Sequence, residues 1–239
     1  MRIVLLHGLT NSSRAFGPLI ALLDGFDVTV IDLPGHGSRA RQPGKRTIGA
    51  IADAVIPEIP RPAVVLGHSL GGLAATAIAE RRPKLVSHLV LVNSPPTVGS
   101  RRTAARGGEK IVRTPALGPI VWRILPRSAA RDGLRSAFAP GYDVPDCFVD
   151  DLRRLSWRTF VDATGAVDSY LGDQSLYGRV GSLETPTTIV FGERDQRVDL
   201  ASLGGYSHTD ADVVTIADAG HTPAWEAPEQ VAAVLRSLA

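Results

Sequence analysis

The fold is decided by the stretch VVLGHSLGG at residues 64–72. An apolar, β-branched run stops abruptly at the pattern Gly-X-Ser-X-Gly, and the small residues that follow Gly72 suit a helix. This order predicts a strand, a tight turn and a helix, with Ser69 at the apex of the turn. Gly67 and Gly71 flank the serine because a Cβ at either position would clash where strand and helix close on each other. Taken alone, the motif also fits a glycine-rich turn with an ordinary surface serine.

Apolar strands alternate with amphipathic helices on both sides of this turn. The pattern predicts strands at residues 3–6, 26–31, 63–66, 88–92, 187–191 and 212–216. Helices are predicted between them, one from Phe16 to about Asp24 and one after the N-cap candidate Thr47, and a last helix begins near Pro228. Apolar strands that are joined through helices form a parallel sheet covered on both faces, so we expect an α/β fold.

The connection between the fourth and fifth predicted strands is unusually long. It covers residues 97–186, contains no strand-like run, and consists of short helical pieces broken by prolines. Connections of this length in a compact domain are usually lids or inserted subdomains. We therefore expect a core formed by residues 1–96 and 187–239, with residues 97–186 as a helical lid inserted after the fourth strand.

Length, charge and cysteine content exclude several classes of protein. A chain of 239 residues suits a single α/β domain, and a net charge of +2 argues against a dedicated nucleic-acid-binding protein. A single cysteine, Cys147, excludes an internal disulfide. No apolar run approaches the ~20 residues of a membrane-spanning helix, and the apolar run at the N-terminus is too short for a signal peptide. We therefore expect a cytoplasmic protein without a membrane span or a nucleic-acid partner.

A serine nucleophile needs a base and a third group that orients the base. His221 follows a strand and a glycine, which places it in a loop at the carboxyl edge of the sheet, and it is the predicted base. The other five histidines are His7, His36, His68, His88 and His208. The predicted acid is Asp195, four residues beyond Phe191; Asp199 lies a little further on, and Asp218 is expected to shape the His221 loop.

Attack by a serine on a carbonyl group creates an oxyanion, which backbone N–H groups stabilise. One predicted donor is the N–H of Leu70, directly after the nucleophile. The second should come from the loop after the first strand, where Gly8 lets the backbone approach without a side chain in the way. We predict that the N–H of Leu9 is this donor.

Together these segments resemble the α/β-hydrolase superfamily, whose members carry the triad in the order serine, acid, histidine. The matching segments are His7-Gly8, residues 32–37 (DLPGHG), residues 67–72 (GHSLGG), residues 191–195 (FGERD), and Gly220-His221 with residues 226–228 (EAP). They are most similar to small bacterial carboxylesterases and thioesterases of the type that cleaves the methyl ester of pimeloyl carrier protein. They are also similar to the menaquinone-pathway lyase of the same fold.

The resemblance implies an α/β-hydrolase fold and a serine hydrolase that cleaves an ester, thioester or lactone through an acyl-enzyme, with no metal or organic cofactor. Most members have an N-terminal β-hairpin before the His-Gly strand, and this chain begins at that strand, so we expect about six strands. Two alternatives remain open. One is a non-hydrolytic lyase or cyclase that uses the same triad as a base, and the other is a non-catalytic ligand-binding protein on this fold.

The substrate pocket and its partner are less well defined by sequence. Ser94 follows a strand beside the nucleophile, and Trp122 and Trp157 lie in the predicted lid, so all three are candidate pocket residues for an acyl substrate. The lid is also basic, since residues 101–135 contain nine Lys and Arg against two acids. Arg127, Arg131 and Arg135 recur every four residues. This stripe predicts either a solvated face or a docking surface for an acyl carrier protein or a coenzyme A thioester.

Overall fold

The computed structural model describes residues 1–59, 61–102 and 107–239. In this part of the chain the strands are β1 (Arg2–Leu6), β2 (Asp27–Ile31), β3 (Ala63–His68), β4 (Val86–Val92), β5 (Thr187–Gly192) and β6 (Asp212–Ile216). They form one parallel sheet in the order β2-β1-β3-β4-β5-β6. This confirms the predicted parallel sheet of six strands, each within two residues of its expected bounds.

Helices cover both faces of the sheet. In the described residues they are α1 (Gly17–Ile20), α2 (Ile48–Val55), α3 (Leu70–Arg81), α4 (Gly107–Arg113), α5 (Gly118–Ile124), α6 (Arg127–Leu134), α7 (Asp146–Arg154), α8 (Trp157–Asp173), α9 (Leu176–Val180), α10 (Pro223–Glu226) and α11 (Pro228–Ser237). Thr47 caps α2 as predicted, because its side chain accepts a hydrogen bond from the N–H of Ala50. The predicted helix at residues 16–24 is wrong in extent: the Ser12 side chain caps a 3-10 turn at Ser13–Phe16, and α1 ends at Ile20.

Burial explains why the inner strands are mostly apolar. Every side chain of β3 and β5 is buried, as expected for strands with helices on both sides. One apolar cluster joins the sheet to α2, α3 and α8, and it includes Val65, Leu91 and Ile189. A second cluster joins the opposite face to α1 and α11, and it includes Leu66 and Leu235.

The strand register brings the ends of the inner strands to one edge of the sheet. Leu6 of β1 pairs with Gly67 of β3, and Gly67 pairs with Leu91 of β4. Val92 of β4 then pairs with Val190 of β5. The loops after β1, β3, β4 and β5 therefore meet at the carboxyl edge, where open α/β sheets hold their ligands.

The segment between β4 and β5 is not one uniform layer. Helices α8 and α9 are part of the main core, since Ala163, Val167 and Leu176 belong to the same apolar cluster as the sheet. Helices α6 and α7 surround a separate apolar cluster that includes Phe138 and Phe148. The bounds of a lid within residues 97–186 stay a prediction. Among the described residues, no helix has the length and apolar character that crossing a membrane would need.

Candidate active site

Ser69 lies at the turn between β3 and α3, with a backbone φ of 52° and ψ of −114°. A positive φ is strained for any residue except glycine, and the surrounding backbone enforces it here: the Ser69 N–H donates to the Val92 carbonyl at 2.9 Å. A Cβ at Gly67 would collide with the Gly71 carbonyl, and a Cβ at Gly71 would collide with the Leu6 carbonyl. Strand and helix therefore close as tightly as the motif predicted, and Ser69 is held at the sheet edge.

A continuous chain of hydrogen bonds runs from Ser69 to Asp195. Ser69 Oγ lies 3.1 Å from His221 Nε2, and His221 Nδ1 lies 2.8 Å from Asp195 Oδ2. His221 and Asp195 are only 4% and 7% exposed, so little solvent screens their interaction. The structure thus brings together the three residues that the sequence selected. Asp218 lies apart from them, in a left-handed turn with φ 63°, where it pairs with Arg194 at 2.8 Å.

Asp195 is held as a carboxylate by four hydrogen bonds. Oδ1 accepts from the N–H of Arg197 at 2.6 Å and of Val198 at 3.1 Å, while Oδ2 accepts from Asn93 Nδ2 at 2.7 Å as well as from His221. Burial favours the neutral acid, but the charge and hydrogen bond of His221 and the bonds from Asn93 and Arg197 outweigh it. Together they hold the pKa of Asp195 below its ordinary value.

Asn93 is part of the candidate site, although the sequence did not predict it. Its Nδ2 also contacts the Gly220 carbonyl at 3.3 Å, and its Oδ1 accepts from the N–H of Gly192 at 3.2 Å. Its φ of 45° is one that asparagine tolerates better than most residues. A single carboxamide thus ties the ends of β4 and β5 to the histidine loop. The available signal was an asparagine, followed by Ser-Pro-Pro, directly at a strand end.

His68, directly before the serine, also contacts the histidine loop. Its Nε2 lies 2.7 Å from the carbonyl oxygen of His221. Since a carbonyl can only accept, Nε2 carries the hydrogen. Burial and the neighbouring His221 lower the pKa of His68 to about 3, so this ring is neutral at ordinary pH. His68, which the sequence did not single out, thus supports the backbone of His221.

The loop after β1 passes directly beside Ser69. A Cβ at Gly8 would lie 2.8 Å from His68 Nδ1 and 3.3 Å from Ser69 Cβ, so only glycine fits without a shift. His7 fixes this corner, because its Nδ1 donates to the Gly8 carbonyl at 2.8 Å and its Nε2 accepts from the Leu33 N–H at 3.0 Å. Within the described part of the chain, the N–H groups of Leu9 and Leu70 have no hydrogen-bond acceptor. Both are available to a ligand at the serine.

A cavity of about 540 Å³ opens above the serine. Leu9, Leu70 and His221 form its floor, and residues from the segment between β4 and β5 form most of its walls. These walls are largely apolar: Val112, Val121, Trp122, Leu125, Leu134 and Phe160. Trp122 is held in place by its indole N–H, which donates to the Leu155 carbonyl at 2.8 Å. The site suits an apolar acyl chain.

Two predicted pocket residues do not line this cavity. Ser94 is 1% exposed and faces α3, where its Oγ occupies the space that a Cβ at Gly72 would need. Trp157 lies behind the wall, and its indole N–H donates to the Val112 carbonyl at 2.7 Å. Of the three side chains named from sequence as pocket residues, the structure therefore brings only Trp122 to the cavity.

The turn at residues 32–37 has a structural role in this arrangement. The Asp32 carboxylate accepts hydrogen bonds from the N–H groups of Ser13 and Ser38 and from the Ser38 hydroxyl, each at 2.7 Å. Gly37, with φ 49°, packs directly on that carboxylate. Asp32 thus ties together the loops after β1 and β2. In the ranges that the structure describes, no group of His, Cys, Asp and Glu side chains is arranged to hold a metal ion.

Most of the predicted basic stripe is neutralised by acids of the same chain. Arg127 pairs with Asp146 and Asp150, Arg131 also pairs with Asp146, and Arg135 pairs with Asp132. Arg101, Arg102 and Arg113 likewise have acidic partners. Arg106, one of the nine basic residues counted in segment 101–135, lies outside the described residues. The positive charge that the sequence predicted for this stripe is therefore largely neutralised by ion pairs in the folded chain.

A model of the alpha/beta hydrolase family matches residues 3–234. The chain belongs to this family. The hydrolase is 28% identical to a pimeloyl-[acyl-carrier protein] methyl ester esterase of Aromatoleum aromaticum, across 99% of this chain and 97% of the relative. It is 29% identical to the protein of the same name from Neisseria meningitidis serogroup C, across 99% of this chain and 93% of that relative.

Solved structures agree with this assignment at the level of the fold. A hydrolase from Pseudomonas aeruginosa superposes with a TM-score of 0.80 at 22% identity, covering 99% of this chain and 88% of that one. An N-acyl homoserine lactonase superposes with a TM-score of 0.75 at 22% identity, covering 99% of this chain and 87% of the lactonase. The α/β-hydrolase fold expected from the motifs is thus confirmed, and the protein is a hydrolase that acts on ester bonds.

Proposed function

We propose that this hydrolase cleaves acyl esters by nucleophilic catalysis, with Ser69, His221 and Asp195 as its catalytic triad. The observation that carries the proposal is the unbroken chain of hydrogen bonds from Ser69 Oγ through His221 to Asp195, placed at the floor of an apolar cavity. A serine becomes a strong nucleophile when a neighbouring base takes its proton and an acid orients that base.

The proposed reaction has two halves. Ser69 Oγ attacks the ester carbonyl while His221 Nε2 takes its proton, and the N–H groups of Leu9 and Leu70 bind the oxyanion. The intermediate collapses as His221 returns the proton to the leaving alcohol or thiol, which leaves an acyl group on Ser69. Water, deprotonated by His221, then attacks the acyl-enzyme and releases the acid. Throughout, Asp195 accepts from Nδ1 and so keeps Nε2 directed at the serine, whether Nε2 is taking a proton or returning one.

The test uses p-nitrophenyl esters of increasing acyl length, a fluorophosphonate probe and two serine variants. Ser69→Ala should lose on the order of 10⁶ in kcat and all labelling by the probe. Ser94→Ala is the matched control, since Ser94 is buried nearby yet faces α3. A Ser69→Ala protein with full activity would remove the proposed mechanism.

The alternative classes give different results in the same assay. A lyase or cyclase that uses the triad only as a base would turn over its own substrate without accumulating an acyl group on Ser69. A ligand-binding protein would be labelled slowly and show negligible turnover. Thioesters and lactones assayed beside the esters define which acyl derivatives the hydrolase accepts.

The relatives favour a carrier-linked acyl ester as the substrate. Both proteins described above are named as esterases of an acyl group attached to a carrier protein. If this chain shares that substrate, kcat/KM for a methyl ester on an acyl carrier protein will exceed that for the same ester as a free acid. Because Arg127 and Arg131 are already paired with Asp146 and Asp150, reversing them to Glu tests whether their stripe contributes to KM.

A further inference from the structure

Helices α4 and α5 and the loop between them present an exposed apolar surface, and we call residues 109–125 the α4–α5 hairpin. Ile111, Leu117, Ile120 and Ile124 are 51%, 56%, 59% and 70% exposed. Ile120 and Ile124 are one turn apart on α5 and therefore lie on the same face. Large aliphatic side chains gathered in one exposed place mark an interaction site more often than an ordinary surface.

The hairpin contains one acid, Glu109, which pairs with Arg101 and Arg113, so the charge that it leaves unbalanced is positive. Residues 110–127 contain four Lys and Arg and no acid. Arg113 and Arg127 are neutralised by Asp168 and by Asp146 with Asp150. The other two cations, Lys110 and Arg123, are exposed and have no ion-pair partner among the residues that the structure describes. The hairpin thus combines an exposed apolar face with cations that its own chain leaves unbalanced.

The opposite face of the same hairpin is part of the cavity wall. Val112, Val121 and Trp122 line the cavity above Ser69, and Ile111 reaches its rim. The hairpin is fixed from behind, because the Trp157 indole donates to the Val112 carbonyl and a Cβ at Gly118 would collide with that carbonyl. Whatever covers the outer face is therefore one layer of side chains away from the acyl cavity.

We propose that the outer face of the α4–α5 hairpin docks on an anionic phospholipid surface. Aliphatic side chains flanked by Lys and Arg are the pattern with which a helix lies in a membrane interface: the apolar groups enter the acyl boundary and the cations contact phosphates. A lipid surface requires no directional hydrogen bonds, and this face supplies few. The Thr114 hydroxyl, for instance, is turned back to the Ile111 carbonyl at 2.7 Å.

The test is co-sedimentation with vesicles of phosphatidylglycerol alone and of phosphatidylcholine alone. The protein should bind the anionic vesicles and bind the neutral ones at least about tenfold more weakly, because two unpaired cations contribute to the contact. The double variant Ile120→Asp/Ile124→Asp should weaken binding on the order of a hundredfold. Lys110→Glu/Arg123→Glu should abolish the preference for anionic vesicles.

The matched control is Val213→Asp. Val213 is also an exposed aliphatic residue, 44% exposed, but it lies on the edge strand β6, and its replacement should leave vesicle binding unchanged. Since the substituted residues are exposed, the variants should keep the wild-type circular dichroism spectrum and Tm. Ser69→Ala should bind vesicles as well as wild type does, so this proposal and the proposed ester hydrolysis succeed or fail separately.

Three outcomes overturn the proposal. One is no binding to phosphatidylglycerol vesicles at low salt, and another is undiminished binding by the Ile120→Asp/Ile124→Asp variant. The third is that the hairpin is covered by protein. Sedimentation velocity would then show a dimer that this variant dissociates, or a purified acyl carrier protein would bind through the hairpin while vesicles do not.

Discussion

Asn93 donates to Asp195 Oδ2 at 2.7 Å, and this is the same oxygen that accepts from His221 Nδ1. The carboxylate is therefore fixed on the side that faces the histidine. On its other side the N–H groups of Arg197 and Val198 hold Oδ1. The orientation of the proposed base thus depends on a carboxamide that is not itself one of the residues lining the cavity.

Removing the Asn93 carboxamide should lower turnover without weakening substrate binding. Asn93→Gly keeps the positive φ available while it deletes the hydrogen bond, and kcat should fall about tenfold to a hundredfold, since a bond to a charged group is lost. KM should stay near the wild-type value because Asn93 does not reach the cavity. Steady-state kinetics on one p-nitrophenyl ester separates the two parameters.

Asn93→Asp provides the comparison, because it places a second carboxylate against Asp195. Like charges raise the pKa of Asp195, so the variant should lose activity at a higher pH than wild type as the solution is acidified. A glycine variant with full kcat, or an aspartate variant with an unchanged pH profile, would show that Asn93 has no influence on the triad.

His68 should act through the backbone of His221. His68→Leu removes the donor to the His221 carbonyl and should lower kcat about tenfold, as expected for the loss of a buried hydrogen bond. His68→Gln keeps a donor at the corresponding position and should recover most of this loss. If His68→Leu and His68→Gln are equally impaired, the contact with the His221 carbonyl is not what matters.

The environment of His68 also leads to a prediction about how kcat depends on pH. Because burial and His221 lower the pKa of His68 to about 3, His68 is neutral throughout the neutral range and contributes no titration there. The acid limb of the kcat profile in His68→Gln should therefore coincide with that of wild type. A displaced limb would mean that His68 titrates with the active site.

Asp32 should contribute to stability in a pH-dependent way. Burial opposes its ionisation, but hydrogen bonds from Ser38 and Ser13 outweigh it and hold the pKa of Asp32 below its ordinary value. A carboxylate whose pKa is lower in the folded than in the unfolded state stabilises at neutral pH, and this contribution is lost as the pH falls below about 4.

Asp32→Asn should therefore reduce the free energy of unfolding by about 1–3 kcal/mol at neutral pH, as measured by urea denaturation. The difference from wild type should shrink in acid. Asp27→Asn is the control, because Asp27 is an exposed partner of Arg2 and should have little effect. A constant difference between Asp32→Asn and wild type at every pH would exclude the proposed ionic contribution.

The fold and the triad geometry were accessible from sequence for a physical reason. Parallel strands that are buried on both faces must be largely apolar, so they can be recognised from a short stretch of sequence alone. Parallel pairing then brings the carboxyl ends of these strands to one edge of the sheet. Once Ser69 is placed at that edge, the requirement for a base and an acid on neighbouring loops restricts the choice to a few residues. His221 and Asp195 meet that requirement and also meet in space.

The features that could not be predicted from sequence depend on contacts between residues far apart in the chain. The role of Asn93 arises from Asp195, more than a hundred positions along the chain, and the basic stripe is balanced by Asp146, Asp150 and Asp168 from later helices. Helical periodicity also could not tell which of Trp122 and Trp157 lines the cavity. In the structure both are half-buried, and the indole N–H of each donates to a backbone carbonyl. Only the packing of α5 against α8 decides which of them reaches the cavity.

That difference in placement leads to a prediction about substrate length. Trp122 lines the cavity above Ser69, so Trp122→Ala should enlarge it and shift the preferred p-nitrophenyl ester toward longer acyl chains. Each methylene that gains contact contributes up to about 0.8 kcal/mol, so kcat/KM for the longer esters should rise by up to about fourfold per methylene relative to the short ones. Ser94→Ala should keep the wild-type chain-length profile, because Ser94 faces α3. Ratios of kcat/KM across the ester series measure this directly, and an unchanged profile in Trp122→Ala would mean that the acyl chain does not occupy this cavity.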